Sequence, residues 1–387
     1  MKKSLLALAV LGAFAGAASA QSSVTIFGIL DLNLKYVDNS GTGDRKSMGS
    51  DGINSSRLGF RGIEDLGGGM KAGFWLEAGM APDRGTVGGG NGFGVAAASN
   101  AANSPEGSNG AAFFNRRSTV SLMGNFGEVR LGRDYTPSFW NTTIFDPFGT
   151  NGVGSSLNVS RAATGTGGSN GSAAATYVRS NNLLQYLLPA MGGLYGQISI
   201  APSEGAINNA GGQYEGGRLG YAAGPFNVAL AISQQGVTTN PNIKYKTWNL
   251  AGSYKFGTTT LMAQYNDEKI GADAARVAAP QELHEVRWLF GASIVVGQGE
   301  FRASYVKSDW KNDNPIVAGD QSADDADMWA FGYVYNLSPR TALYGQYSRI
   351  SNSGASTFSV AGGSNQNGFP TPGGSSTGME FGVRHSF

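Results

Sequence analysis

Five arginines in the first half of the chain share one arrangement: each sits on a stretch of alternating polarity, opposite in parity to the apolar residues around it. Leu58 and Phe60 oppose Arg57 and Arg61, Val120 and Leu122 oppose Arg117 and Thr119, and Val129 and Leu131 flank Arg130. Val178, Leu184 and Tyr186 likewise oppose Arg179. Two is the strand period, so within each stretch the arginines share one face and the apolar residues the other. By the same parity Arg116 points to the apolar side, near the end of its strand. A guanidinium stays protonated at any usable pH, so such a face attracts anions and transfers no protons. Like charges gathered this way require water or counter-charge between them. The turn Asp146-Pro147-Phe148-Gly149 offers one acid and one ring within the longest non-alternating stretch, 136–175. If that stretch folds against the arginines, Asp146 faces them across a gap, and opposed charged walls discriminate solutes by charge.

Other chemistries lack their parts. The chain has no cysteine and two histidines, His284 and His385, both on apolar rows. Zinc coordination and nucleophile–histidine catalysis therefore find no residue set, and no cofactor is implied. The glycine run 88–94 does not join a strand to a helix, so it is no phosphate cradle. Asp320, Asp324, Asp325 and Asp327 lack calcium-loop spacing and read as a solvated loop. With 28 Lys and Arg against 27 Asp and Glu, bulk charge does not support nucleic-acid binding.

The elements that must position the arginines begin after a targeting segment. Lys2 and Lys3 precede an apolar run from Leu5 to Ala18, and Ala18-Ser19-Ala20 forms a small-x-small cleavage pattern. Residues 1–20 are thus expected to be a signal peptide and 21–387 a single β domain. No later stretch is apolar for the ~20 residues of a membrane helix. Gly is 60 of 387 residues, and turns are frequent. Alternation opens the domain, with Val24, Ile26, Leu30, Leu32, Leu34 and Tyr36 against Thr25, Asp31, Asn33 and Lys35. It also closes it, with Met379, Phe381, Val383, His385 and Phe387 on one row. Fourteen similar stretches lie between, near 56–64, 70–80, 114–124, 128–135, 176–188, 194–201, 217–223, 225–234, 245–256, 259–266, 282–296, 300–307, 328–336 and 341–349.

The connections fall into two kinds in strict alternation. Short turns occur at 65–69, 124–127, 189–193, 223–225, 256–258, 297–299 and 336–340. Long polar stretches occupy 38–54, 81–113, 136–175, 202–216, 235–244, 266–281, 308–327 and 350–378. Seven short and eight long connections fit an even-stranded barrel with both termini on the short-turn side. A soluble sandwich also alternates, but its core is only ~10 Å thick. Trp248, Tyr254 and Phe256 share one row, and Trp329, Phe331, Tyr333 and Tyr335 another. Aromatic girdles at two membrane interfaces account for these rows, and a closed barrel satisfies every backbone amide in lipid. The expectation is an all-β fold: a transmembrane sixteen-stranded antiparallel barrel with an inward-folded third loop.

Several segments carry a resemblance. Ser56-Arg57-Leu58-Gly59-Phe60-Arg61-Gly62, Lys71-Ala72-Gly73-Phe74-Trp75-Leu76-Glu77, Arg116-Arg117-Ser118-Thr119 and Gly127-Glu128-Val129-Arg130-Leu131 resemble the Gram-negative general porin family. So do Glu64-Asp65-Leu66-Gly67 and the ending Arg384-His385-Ser386-Phe387. The likeness runs from Val24 to the C-terminus and has the flavour of the anion-selective branch. It implies an outer-membrane homotrimer of barrels, each narrowed by its third loop and surrounded by lipid and lipopolysaccharide. It carries constriction roles onto Arg57, Arg117 and Arg179, and onto Asp146 and Phe148 in the loop; Arg61 and Arg130 extend the same face. It places a trimer latch in the second loop, 81–113, by position only. It makes Phe387 a signal to the outer-membrane insertion machinery; in the plainer reading this ring simply closes the last strand.

The function expected is passive diffusion of ions and small hydrophilic solutes, with a weak anion preference and no enzymatic step. Two alternatives stand beside it: an adhesin acting through its long loops, and a substrate-specific channel. A barrel-embedded hydrolase lacks a suitably placed histidine.

Overall fold

The computed structural model describes residues 23–87, 113–160, 177–202, 213–237, 240–270, 283–311, 324–361 and 368–387. Segment 1–20, most of 81–113, part of the stretch 136–175, and Asp320 lie outside the described residues, together with the expectations attached to them. The strands are β1 (Ser23–Asn39), β2 (Gly43–Ser50), β3 (Arg57–Gly67), β4 (Met70–Ala81), β5 (Thr86–Val87), β6 (Arg117–Gly124), β7 (Gly127–Tyr135), β8 (Arg179–Leu187) and β9 (Leu194–Ala201). They continue as β10 (Tyr214–Ala223), β11 (Phe226–Val237), β12 (Asn240–Phe256), β13 (Thr259–Ile270), β14 (Leu283–Val296), β15 (Gly299–Trp310), β16 (Ala326–Asn336), β17 (Thr341–Asn352) and β18 (Ser375–Ser386).

Neighbours in sequence pair antiparallel around the sheet, and β1 pairs with β18 to close it. Two segments add no strand of their own. β5 is two residues folded back on β4. β2 and β3 occupy one strand position, because the upper half of β1 pairs with β2 and its lower half with β3. The barrel therefore has sixteen strands. At the seam the amide of Gly28 donates to Phe387 O (3.1 Å) and the amide of Phe387 to Gly28 O (3.0 Å). The Phe387 ring packs over Gly28, in the place a Cβ on residue 28 would take, so a larger residue there would displace the ring.

Strands run further on the long-loop side than the sequence indicates. The stretch 38–54, expected to be a loop, is mostly a hairpin in which Tyr36 pairs with Lys46 and Leu34 with Met48. The stretch 235–244 is likewise largely strand, with Gln235 opposite Tyr245. The reason is physical: above the bilayer a strand keeps its ladder with water on its outer face, so its outward residues turn polar and its composition reads as loop.

The outer surface is apolar, with Leu34, Val120, Ile198, Leu230, Phe290 and Phe381 exposed. Aromatic side chains concentrate on one half of it. Tyr265 lies 4.8 Å from Trp248 and 4.4 Å from Trp288, and Tyr305 lies 4.6 Å from Trp329. Inward rows are polar and buried, including Asn33, Gln185, Asn249 and Gln346.

The chain between β7 and β8 folds into the barrel. Thr136 caps a short helix, α1 (Pro137–Ile144), by accepting from the Phe139 amide, and Pro137 starts it. α1 rests on β11–β13. Asn141 donates to Ala229 O (3.0 Å), Asn249 to Ser138 O (3.0 Å) and Gln264 to Thr142 O (2.9 Å). The chain then crosses to the opposite wall. There Phe148 and Val153 pack with Leu289, Val306, Met328 and Ile350. The Val153 amide donates to Glu380 (3.0 Å), and Ser348 donates to Val153 O (2.6 Å). Pro147 lies over Gly291, its ring in the place a Cβ on residue 291 would take. An apolar core thus forms inside the lumen, between loop and wall.

Candidate functional site

A second inward detour faces this loop. Between β2 and β3, residues 51–56 leave the barrel wall. The Asp31 carboxylate holds them by accepting the amides of Gly52 (3.2 Å), Ile53 (2.9 Å) and Asn54 (2.8 Å), and the Tyr344 hydroxyl. Ser55 donates to Asn151 (2.9 Å), so the detour and the third loop meet. Asp51 takes a positive φ of 70° at the start of the detour and accepts the Ser56 amide (2.6 Å). Burial pushes its carboxyl up to about 6, against the pull of the Ser56 amide and the Arg116 guanidinium.

A cavity of about 950 Å³ lies between these segments and the wall. Three arginines meet at its edge. Arg57 donates from Nε to Ser55 O (2.8 Å) and from Nη1 to Glu77 (3.3 Å). Arg116 donates from Nε to the same Glu77 oxygen (2.5 Å) and from Nη2 to the Tyr135 hydroxyl (2.9 Å). Arg179 donates to that hydroxyl from the other side (2.8 Å), with its guanidinium 4.3 Å from the Tyr135 ring centre. Glu77 is fixed further by the indole of Trp75 (3.2 Å). One carboxylate and one phenol therefore organise three cations.

The expected site residues are distributed over two levels. Arg57 and Arg179 line the cavity. Arg179 does so although a backbone irregularity at Asn182 (φ 57°) interrupts the alternation by which its side was read. Arg116, expected on the outer face, is instead buried beside Glu77. It precedes the first residue of β6, where the chain has not yet entered the pleat, so strand parity does not govern it. Arg117, Arg130 and Arg61 are not brought to this cavity. Arg117 stacks on the Trp75 ring (4.5 Å) and approaches Asp134 (3.5 Å). Arg130 is clamped between Glu128 (2.8 Å) and Asp134 (2.7 Å). Arg61 lies four residues along β3 from Arg57, 5.2 Å from the Trp75 ring centre. These three form a lower tier toward the short turns.

Asp146 does not oppose the arginines with a free charge. Its two oxygens accept the amides of Phe148 (2.8 Å) and Ser156 (2.9 Å), stapling the loop to itself. Burial holds its carboxyl above the ordinary aspartate range despite those donors. Phe148 borders the cavity but is only 1% exposed, as the anchor of the loop on the far wall. The loop brings an apolar pair to the cavity, Trp140 and Ile144, one helical turn apart on α1, together with the polar Thr143, Thr150 and Asn151. The cavity margin carries eight basic residues against four acidic ones. Of the four, Asp146 is stapled into the loop, Asp83 pairs with Arg84 (3.7 Å) and Glu300 with Arg302 (2.8 Å).

Among the described residues no group of three potential metal ligands occurs. His284 contacts Asp267 (3.0 Å) and His385 contacts Thr341 (2.9 Å), far apart in the strand order. A further charge cluster, Arg287 with Glu268 (2.9 Å) and Glu285 (3.2 Å), sets one cation against two carboxylates; all three are buried and none lines the cavity. What the described cavity residues offer a solute is charge, hydrogen bonds and apolar contact.

Comparison with known proteins gives a consistent result. The family described as Gram-negative porin matches residues 7–355. The outer membrane porin protein 32 of Delftia acidovorans is 38% identical over 398 aligned positions, covering all of both chains. An outer membrane porin protein of Bordetella pertussis is 29% identical, over 90% of this chain and 94% of its own. Among solved structures, the anion-selective porin from Comamonas acidovorans superposes with a TM-score of 0.77 at 35% identity, over 95% of this chain and 100% of that one.

Proposed function

This chain belongs to the Gram-negative porin family, and we propose that its outer-membrane channel prefers small anions, with Arg57, Arg116 and Arg179 as the filter. The observation that carries this is the basic excess around the cavity, where the loop supplies no free carboxylate opposite the arginines. A hydrated anion entering there meets a positive potential that water only partly screens. A cation meets the reverse. In the lower tier Glu128 and Asp134 offset Arg117 and Arg130, while Arg61, beside the Trp75 ring, adds one positive charge in the same direction. The similar Comamonas acidovorans protein, described as anion-selective, supports the same direction. Transport is passive diffusion and no catalytic step is assigned.

The assembly proposed is a homotrimer. The outward faces of β1, β4, β6 and β7 carry aliphatic residues such as Val24, Ile26, Val120 and Leu131, whereas the linked Trp and Tyr rings sit on β12–β16. The aliphatic half suits burial against neighbouring subunits; the aromatic half suits lipid and lipopolysaccharide. Residues 1–20 act as the export signal, and Phe387 serves recognition by the insertion machinery.

Reversal potentials in planar bilayers under a potassium chloride gradient test the filter. The native channel is expected to favour chloride, and replacing Arg57, Arg116 and Arg179 together by glutamine to abolish the preference. A native cation preference, or a chloride preference untouched by the triple change, refutes the assignment.

A further inference from the structure

The third loop meets the arginines with an apolar ridge where a counter-charge was expected. α1 buries Ser138, Phe139, Asn141 and Thr142 against the wall and turns Trp140 and Ile144 to the cavity. Ile144 is 39% exposed, unusual for a large aliphatic side chain inside a polar lumen. The Trp140 ring centre lies 5.0 Å from that of Tyr135, and the Tyr135 ring carries the Arg179 guanidinium 4.3 Å away. Arg179 has no carboxylate partner among the described residues, and its Nε makes no hydrogen bond. A cation without a carboxylate partner and a half-buried indole thus both contact one tyrosine ring at the cavity edge.

We propose that this constriction contains a subsite for small amphipathic carboxylates, aromatic ones above all, with the carboxylate at Arg179 and the apolar body on Trp140 and Ile144. The proposal rests on the anion-filter reading above and names the solutes that filter favours. An inorganic anion gains only the field of the arginines. An aromatic acid gains the same field and also removes a ring face, the indole and an aliphatic side chain from water. A neutral sugar gains no charge pairing at Arg179 and has little apolar surface to lay on the ridge. The two parts of the subsite come from different walls, β8 and the inserted loop, so it exists only where the loop is seated.

The test is the chloride current of the purified full-length protein in planar bilayers, with added benzoate, acetate or benzamide. Benzoate is expected to reduce the current at about fivefold lower concentration than acetate, the size of one exposed aromatic contact, and uncharged benzamide to have no comparable effect. Trp140→Ala and, separately, Ile144→Ser narrow the benzoate-to-acetate ratio, while Trp140→Phe retains most of it. Equal action of benzoate and acetate on a chloride-preferring native channel overturns the subsite and leaves the filter standing. So does a ratio that survives both substitutions. A native channel that prefers cations overturns the filter and the subsite together. The native comparison needs no variant, so a misfolded substitution does not protect the proposal.

Discussion

Replacing Glu77 by glutamine tests the arginine wall most directly. Arg57 and Arg116 bind one Glu77 oxygen at 3.3 and 2.5 Å, which keeps the two guanidinium nitrogens within 5.8 Å of each other. At that separation their repulsion is about 0.7 kcal/mol in water and about 3 kcal/mol at an effective dielectric constant near 20. The carboxylate now offsets this term; an amide oxygen still accepts a hydrogen bond but carries no charge. Two effects follow. The wall loosens, because Arg57 and Arg116 separate toward water, and channel noise increases. The lumen also gains one positive charge. An ion passing about 7 Å away in water feels about 0.6 kcal/mol, roughly halved by salt near 0.1 M. That acts with opposite signs on anion and cation, giving about a threefold rise in the chloride-to-potassium permeability ratio. Reversal potentials under a salt gradient measure it. An unchanged or lower ratio in a channel of native abundance means that Glu77 does not set the charge of the constriction, and the account of the wall fails.

Three further outcomes follow from the same geometry. Because Asp51 is buried with its carboxyl pushed up to about 6, it is neutral at pH 5 and charged at pH 7.5; the chloride preference should be about twofold higher at pH 5, and Asp51→Asn should remove that pH dependence in the same bilayer recordings. Phe148→Ala empties the anchor of the third loop, a change of about 3–5 kcal/mol for a buried phenylalanine, and is expected to lower the thermal unfolding midpoint and to produce flickering single-channel currents; a quiet channel with native melting contradicts the anchoring role. Phe387→Ala keeps the backbone pairing with Gly28 but removes the ring from the seam, so the yield of heat-modifiable barrel in outer-membrane fractions should fall, whereas native yield would refute both its roles.

Period-two alternation and the contrast of short turns with long polar stretches were enough to specify a sixteen-stranded barrel, because a strand half in lipid and half in water must write its two faces into alternate residues. Arg57, Arg61, Arg117 and Arg130 were assigned to the inner face for the same reason, and Glu77, one place from Leu76, was legible by the same rule. Where the chain leaves the pleat, that rule has no purchase. Arg116 sits one residue before β6 and turns inward, and Arg179 lies beyond the irregularity at Asn182. The hairpin over 38–50 read as loop because strands above the membrane need no apolar face. Composition alone also could not say what the third loop does with its acid. Asp146 lies two residues beyond the end of α1 and satisfies nearby amides, while Trp140 and Ile144 look like core residues until the rest of the helix is seen to be seated on the wall. Which arginines share a carboxylate, and which side chain faces them, depends on contacts between residues tens to hundreds of positions apart. Local periodicity encodes the wall of the barrel; only tertiary packing sets what stands inside it.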